Sequence, residues 1–371
     1  MKTLSVHSRF LELSPKFIHF GDWEVPAYFS SIIDEHICVR EKVGIFDISH
    51  MGLFEVTGVD TLIYLDHMTT NAVSTMAINK AQYSVLCNEQ GGIIDDIFLY
   101  KVSDEHFMII VNASNKEKDF AWFDAHTAGY DIDLHDMSSE YGIFALQGPR
   151  SGAVLQKAFD FDLLSLPFHA FTSCHAAGTT LTIATTGYTG EWGCEIIFPR
   201  AQAEQLWDRL FKAGEDDGLQ PIGFGARDTL RLEAGCLLYG NDMDEMSTPY
   251  EAGLGWIVKM EAGNFIGKDA LLQQKQSGIQ RKLIGFELCD KGIARHGYAI
   301  LKDGKTIGEV TSGSVCPTVK KTVGFGLVQT EYAVMDEDIT IQVRNRDVRA
   351  KIVPRPFYKR KKNEKKMQKQ L

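Results

Sequence analysis

The sequence lacks any apolar run near the roughly 20 residues that a membrane-spanning helix needs. Residues 1 to 10 carry no signal-peptide pattern, so no membrane partner and a cytoplasmic location are expected. Its seven cysteines (38, 87, 174, 194, 236, 289 and 316) are odd in number and form no CxxC. That pattern suits reduced intracellular thiols rather than a disulfide framework or a zinc site. The eleven histidines contain no HxxxH or HxH pair, which leaves no visible metal ligand set. No GxSxG elbow occurs, and neither near-match to a dinucleotide fingerprint holds. "TGYTGEWGCEI" (186–196) spaces Gly187, Gly190 and Gly193 every third residue, and "GFGARD" places Asp228 where a third glycine belongs. Positive charge is scarce outside the C-terminus. Residues 359–371 hold seven Lys/Arg against one Glu, so with −10 for the whole chain the body carries about −16. A body that acidic repels nucleic acid, and the tail reads as a solvated, disordered end.

What is present is a chain of 371 residues, long enough for two or three domains. Period-2 apolar patterns dominate, as in "LFEVTGVD" (53–60) and "HFMIIVN" (106–112), which predict strands. Helical spacing follows at 115–126 and again at 203–214, where Leu206, Trp207, Leu210 and Phe211 share a face and Gly214 can end the helix. A helix over 149–159 is expected to carry Pro149 in its first turn. The polar stretch "QQKQSGIQRK" (273–282) reads as a linker. Beyond it, short strands with glycine turns predict a small β-barrel or sandwich over about 280–358.

"GGIIDDIFLY" (91–100) sets two acids inside an otherwise buried strand. An ionised carboxylate in apolar surroundings costs several kcal/mol (order of magnitude) unless paired or hydrogen-bonded. Successive strand side chains point to opposite faces, so Asp95 and Asp96 cannot act as an acid/base dyad in one site. One of them belongs to a pocket; the other needs backbone N–H groups or an arginine. Gly91 and Gly92 permit a sharp turn or a close approach to a ligand.

"GARDTLRLEAG" (225–235) reads as a short helix with Arg227, Asp228, Arg231 and Glu233. An arginine in the first turn opposes the helix dipole, so an anion must hold it: an internal carboxylate or a carboxylate-bearing ligand. "YGNDMDE" (239–245) is acid-rich but lacks the later Gly and Glu of a calcium loop. In "VGIFDISHMG" (43–52), Asp47, Ser49 and His50 are too close in sequence to form a triad, and His50 reads as hydrogen-bonded scaffold.

Taken together, "FGDWEVPAYFSS", "VGIFDISHMG", "QYSVLCNEQGGIIDD", "ALQGP", "GYTGEWGCEI", "GARDTLRLEAGCLLYGNDMDE", "TPYEAGLGW" and "TSGSVCPT" resemble, in order and separation, the glycine cleavage system T-protein family. The resemblance runs from about residue 20 to 358. It implies an α+β fold, a three-domain cloverleaf around a central folate site. Two intertwined α+β domains (1–275) would make the folate-binding aminomethyltransferase region. A C-terminal β-barrel or jelly-roll-like domain (280–358) and a basic disordered tail (359–371) would follow. The implied activity is transfer of the methylene carbon from the aminomethyl-lipoyl arm of H protein to tetrahydrofolate, giving 5,10-methylene-tetrahydrofolate and ammonia. Tetrahydrofolate would be the co-substrate, lipoylated H protein the partner, and no metal would be needed.

Residue by residue, the resemblance makes Asp96 the family's essential aspartate, Glu195 its pterin-binding glutamate and Arg227 its ligand-binding arginine. A carboxylate is a natural bidentate acceptor for the donors of a pterin edge, and a guanidinium offers a planar fork to an anion. Asp96 near the reacting nitrogens would orient the amine and stabilise developing positive charge. Tyr83, Asn112 and Tyr188 match ring-wall or hydrogen-bonding positions, as do Met51 and Phe168. Asp95 is left for structure. Two positions depart from the family pattern: Trp192 stands where an Asp is usual, and Cys316 where a Ser precedes the proline. Trp192 narrows the pocket, stacks on the ligand or lies on the surface. It keeps open the alternative of another folate-dependent one-carbon transferase or demethylase with a small soluble donor.

Overall fold

The computed structural model describes residues 1–13, 15–344 and 346–360. The alternating apolar segments form two large sheets before residue 225, beside a small three-stranded one in the order Lys2–Thr3, Trp23–Tyr28, Lys16–Phe20. A five-stranded antiparallel sheet runs in the order Ala81–Cys87, Ile93–Ser103, His106–Val111, Gly52–Thr57, Asp133–Asp136. One of its faces (Phe54, Val56, Leu99, Phe107, Ile109, Val111) packs on Tyr64 and Leu65 of helix Thr61–Met68 and on Phe123 of helix Lys116–Ala125. The second sheet runs Phe171–Ala176, Thr179–Ala184, Gly193–Pro199, Tyr141–Gln147, Val43–Asp47, Leu219–Pro221, with only the last pair parallel. Helices Ser151–Phe159 and Ala203–Gly214 cover one face through Val154, Leu155, Leu206, Trp207 and Leu210. Each such buried side chain contributes about 1.5–3 kcal/mol, which is why the helical spacing at 203–214 was readable. The two sheets meet back to back through Phe46, Ile143, Ala145 and Ile197 against Leu53, Tyr100 and Ile110.

The C-terminal strands close into a six-stranded barrel: Arg281–Leu288, Lys321–Gln329, Lys305–Cys316, Ala299–Lys302, Asp338–Val343, Arg346–Val353. Closure removes the exposed sheet edges, and Phe286, Ile300, Val310, Val328, Ile341 and Ile352 fill the interior.

Helix Phe224–Ala234 fastens the barrel to the rest. Arg231 donates to Asp242 at 2.7 Å and to Ser312 Oγ at 2.8 Å, and Thr311 donates to Asp242 at 2.6 Å. Two residues on, buried Glu233 accepts from Arg40 at 2.9 Å and from the Thr318 backbone N–H at 2.9 Å, with His36 Nε2 at 3.2 Å. Arg40 also donates to the Thr189 carbonyl at 2.6 Å, so the same cluster anchors the glycine loop. Burial alone would raise the Glu233 carboxyl; the His36 ring and the Arg40 guanidinium instead bring it down to about 2.

Three local expectations need correction. Gln273 to Ser277 are not linker: they end the helix Lys268–Ser277, which Leu271 anchors by full burial and which Lys and Gln favour intrinsically. Only residues 278–280 remain before the barrel. Pro149 lies ahead of the helix Ser151–Phe159 rather than in its first turn, because the Arg150 N–H goes to the Lys42 carbonyl at 3.0 Å. Of the two readings of Gly91-Gly92 the sharp turn is present, with Gly91 at φ +82°, but the close approach is to protein: a Cβ at Gly92 would stand 1.8 Å from the Glu245 carbonyl oxygen. Of the basic tail, residues 361–371 lie outside the described residues.

Candidate active site

Strand Ile93–Ser103 separates the two acids as period 2 requires. Asp95 is fully buried, accepting from the Asn112 backbone N–H at 3.0 Å, Asn112 Nδ2 at 2.9 Å and Asn115 Nδ2 at 2.7 Å. The expected satisfaction by backbone donors or arginine is thus met by one N–H and two asparagine amides. Asp96 lies on the other side, lining a cavity of about 730 Å³. Its Oδ2 accepts from Tyr83 Oη at 2.9 Å and its Oδ1 from Asn112 Nδ2 at 2.8 Å. The same Asn112 amide therefore touches both carboxylates. Burial, then the neighbouring Asp95, raise the Asp96 carboxyl to about 7, against the pull of the Tyr83 and Asn112 donors. Its protonation state changes within the range where a general acid or base is useful.

Glu195 enters the cavity from strand Gly193–Pro199, half-buried. Thr186 and Tyr100 hydroxyls both donate to its Oε2, the latter at 3.4 Å. Its Oε1 has no partner among the described residues and is free to accept from a ligand. Burial lifts its carboxyl above the ordinary value, offset in part by Thr186 and by the Arg227 charge. The strand approaches its neighbour so closely that a Cβ at Gly193 would sit 2.4 Å from the Leu146 carbonyl oxygen, which accounts for that glycine.

Arg227 leaves the first turn of helix Phe224–Ala234 and lies over the Tyr188 ring, 4.4 Å from its centroid. It forms no ion pair among the described residues; the internal bridges on this helix belong to Arg231 and, through Glu233, to Arg40. Burial weakens its hold on its proton only relative to a very high starting value, so it remains a cation.

All eight singled-out side chains, Met51, Tyr83, Asp96, Asn112, Phe168, Tyr188, Glu195 and Arg227, line this one cavity. Strands of both sheets and of the barrel contribute to its wall. Tyr188 donates to the Leu237 carbonyl, which fixes its ring. Tyr83 stacks with Trp256 (centroids 6.1 Å, planes 22° apart), and Phe168 is 65% exposed at the rim, stacked on His169. Trp192 also lines the cavity, with Arg360 5.5 Å from its ring centroid. Sequence reading missed Tyr100, Thr186, Trp256, Cys236 and Arg355 as lining residues. Tyr100, Thr186, Cys236 and Trp256 lie in or at the end of motifs already singled out, whereas Arg355 lies in none and reaches the cavity only because distant segments meet.

His50 is scaffold, but not through hydrogen bonds: its buried Nδ1 has no partner among the described residues. The rings of Phe224, Phe20 and Trp23 enclose it at 4.9, 5.9 and 6.3 Å, and no triad forms. Asp47 accepts from Ser5 Oγ, the Val6 N–H and the Ser49 N–H. In 239–245, Asp242 serves the Arg231 bridge. The described residues hold no group of three His, Cys, Asp or Glu side chains able to bind a metal, and no helix long and apolar enough to cross a membrane.

Residues 6–262 match the family model described as the GCVT N-terminal domain, and 281–359 match the glycine cleavage T-protein C-terminal barrel domain. The aminomethyltransferase of Desulfitobacterium hafniense strain DSM 10664 / DCB-2 is 45% identical over 360 residues, covering 97% of this chain and 99% of that protein. That of Geobacillus sp. strain WCH70 is 46% identical over 349 residues, 94% and 96% of the two chains. The crystal structure of glycine cleavage system aminomethyltransferase T from Bartonella henselae superimposes with a TM-score of 0.91 at 31% identity, over 96% of this chain and 98% of that one.

Proposed function

The chain belongs to the glycine cleavage T-protein family and is an aminomethyltransferase, and from that premise we propose that the cavity holds tetrahydrofolate with Asp96 at the reacting centre. One observation carries this reading. Asp96, Glu195 and Arg227, three charged side chains from three separate elements, converge on one cavity of about 730 Å³. That volume lies in the usual range for a drug-sized ligand, roughly 300–1,000 Å³, and the remaining wall is largely aromatic and aliphatic.

The fit follows from the donor set. Glu195 Oε1 is the acceptor for the amide-like donors of the pterin edge, its second oxygen being fixed by Thr186 and Tyr100. Arg227 supplies positive charge for an anionic group, held in place by the Tyr188 face. Tyr83 and Trp256 form a flat wall against which a ring can lie. Tetrahydrofolate itself supplies the amine nitrogens that accept the one-carbon unit. The chain's work is to orient those nitrogens, exclude water and hold charge. Asp96, when ionised, faces the developing positive charge, and Tyr83 and Asn112 keep its two oxygens in place. When protonated it holds a proton that can pass to the leaving amine.

The donor in this reading is the aminomethyl-lipoyl arm of H protein, and the site of action is the cytoplasm. Ammonia release from aminomethylated H protein should depend on added tetrahydrofolate. Release that is equally fast without folate, or no release with either, would overturn the assignment.

A further inference from the structure

Behind Asp95, on the side away from the cavity, lies a third acid. Asp119 projects from the first turn of helix Lys116–Ala125 and is fully buried. No N–H or hydroxyl donor reaches either of its carboxyl oxygens among the described residues. An orphaned buried carboxyl is rare enough to need a reason. Its neighbour is the Asp95 carboxylate, equally buried, so two acceptors face each other away from solvent. One proton between them resolves the conflict. That proton belongs to Asp119, because the Asp95 oxygens already accept three N–H donors while those of Asp119 accept none.

We propose that Asp119 is a positioning residue, a neutral carboxylic acid whose O–H completes the donor set of Asp95 and, through Asn112, fixes the orientation of Asp96. The path consists of named contacts. Asp119 meets Asp95; Asp95 holds Asn112 by its backbone N–H and its Nδ2; Asn112 Nδ2 donates onward to Asp96 Oδ1 at 2.8 Å. Burial, followed by the Asp95 charge and hydrogen bond, lifts the Asp119 carboxyl to about 11, in keeping with a retained proton. Lys118, the nearest cation, is already spent on the Ile94 carbonyl, Tyr239 Oη and Glu245. The ionisable groups facing Asp119 and Asp95 are Asp96, Lys118 and Tyr239; those facing Asp96 are Asp95, Tyr83, Tyr188 and Cys236.

The part of this proposal that concerns Asp96 rests on the functional reading above, whereas the proton on Asp119 does not. The test therefore has two arms. Infrared difference spectra of the free protein at pH 8, wild type minus D119N, should show a protonated-carboxyl C=O band assigned to Asp119. Absence of that band overturns the proposal whatever the substrate is. In the second arm, D119N keeps a neutral donor toward Asp95 and should keep the wild-type pH profile of turnover; a displaced profile means that a charge was removed, which also overturns it. D119A deletes the donor, and its kcat should fall by roughly 10- to 100-fold, as for a small misplacement of a reacting group, with KM for folate little changed. Wild-type kcat in D119A would contradict the positioning role. Should D119A not fold, the infrared band and the D119N profile still decide.

Discussion

Replacing Glu195 by glutamine tests the recognition half of the account. The two Glu195 oxygens have different surroundings: Thr186 and Tyr100 both donate to Oε2, while Oε1 faces the cavity. In the glutamine, the single carbonyl oxygen is drawn to the two hydroxyl donors, which leaves the NH₂ turned toward the ligand. A donor then meets the donors of the pterin edge. Loss of the charge alone replaces a bond worth about 1.5–3 kcal/mol by one of about 0.5–1.5 kcal/mol. Mismatch of the amide adds to this, so the expected cost is about 2–3 kcal/mol, a roughly 30- to 150-fold rise in Kd. Calorimetric titration with tetrahydrofolate at fixed pH measures it, with a denaturation curve to show that the variant folds. An unchanged Kd would refute the assignment of Glu195 to the ligand.

Other consequences follow from the buried charges. Asp96, raised to about 7 in the fold, holds a proton that its unfolded counterpart loses near 4, so its contribution to stability is lost as pH rises from about 4 through 7. D96N should therefore gain stability relative to wild type over that window in parallel urea titrations, and an unchanged difference would contradict the raised value. Turnover, if it needs ionised Asp96, should rise through about pH 7 in single-turnover measurements. Glu233 is the opposite case: held at about 2, it stabilises the fold above the unfolded carboxylate pKa of about 4.3 and loses that contribution as pH falls toward 2. Glu233→Ala should cost about 1–3 kcal/mol in denaturant unfolding, since the part-buried Thr318 and Val319 N–H groups lose their acceptor while Arg40 keeps its pair with Glu191. Trp192→Asp should lower stability by up to about 3 kcal/mol through lost packing while leaving the aminomethyl donor unchanged in competition assays. A switch of donor would mean that Trp192 selects it.

Much of the site was legible because strand alternation is strict. Period 2 alone separated Asp96 from Asp95, and the buried pattern of "GGIIDDIFLY" forced both acids to find partners. The family motifs then supplied Glu195 and Arg227, which neither spacing nor composition could assign. What stayed hidden was set by contacts between distant segments. Asn112 touches both acids because strand His106–Val111 ends beside them. Asp119 looks in sequence like an exposed helix acid, since its helix carries charges on several sides and its burial depends on Asp95 lying underneath. Gly91 and Gly92 read as a sharp turn or a ligand approach; Gly91 makes the turn at φ +82°, whereas the neighbour of Gly92 is the Glu245 backbone, brought there by a loop more than 150 residues away. The choice between an internal and an external partner for the arginines of "GARDTLRLEAG" was undecidable without knowing that Asp242 and the barrel sit against Arg231 and not against Arg227.

The central claim, that transfer happens at the cavity face of strand Ile93–Ser103, is tested most directly by single-turnover ammonia release from aminomethylated H protein with saturating tetrahydrofolate, comparing Asp96→Asn with Asp95→Asn. Asp96→Asn should slow release by about 10²-fold or more, as for loss of a typical electrostatic or acid/base group, in a protein at least as stable as wild type. Asp95→Asn should instead cost about 1–3 kcal/mol of stability, because its new amide meets the donors of Asn112 and Asn115, with a milder loss of rate in the folded fraction. Near-normal release in both variants, or a dead Asp95→Asn beside an active Asp96→Asn, would contradict the account.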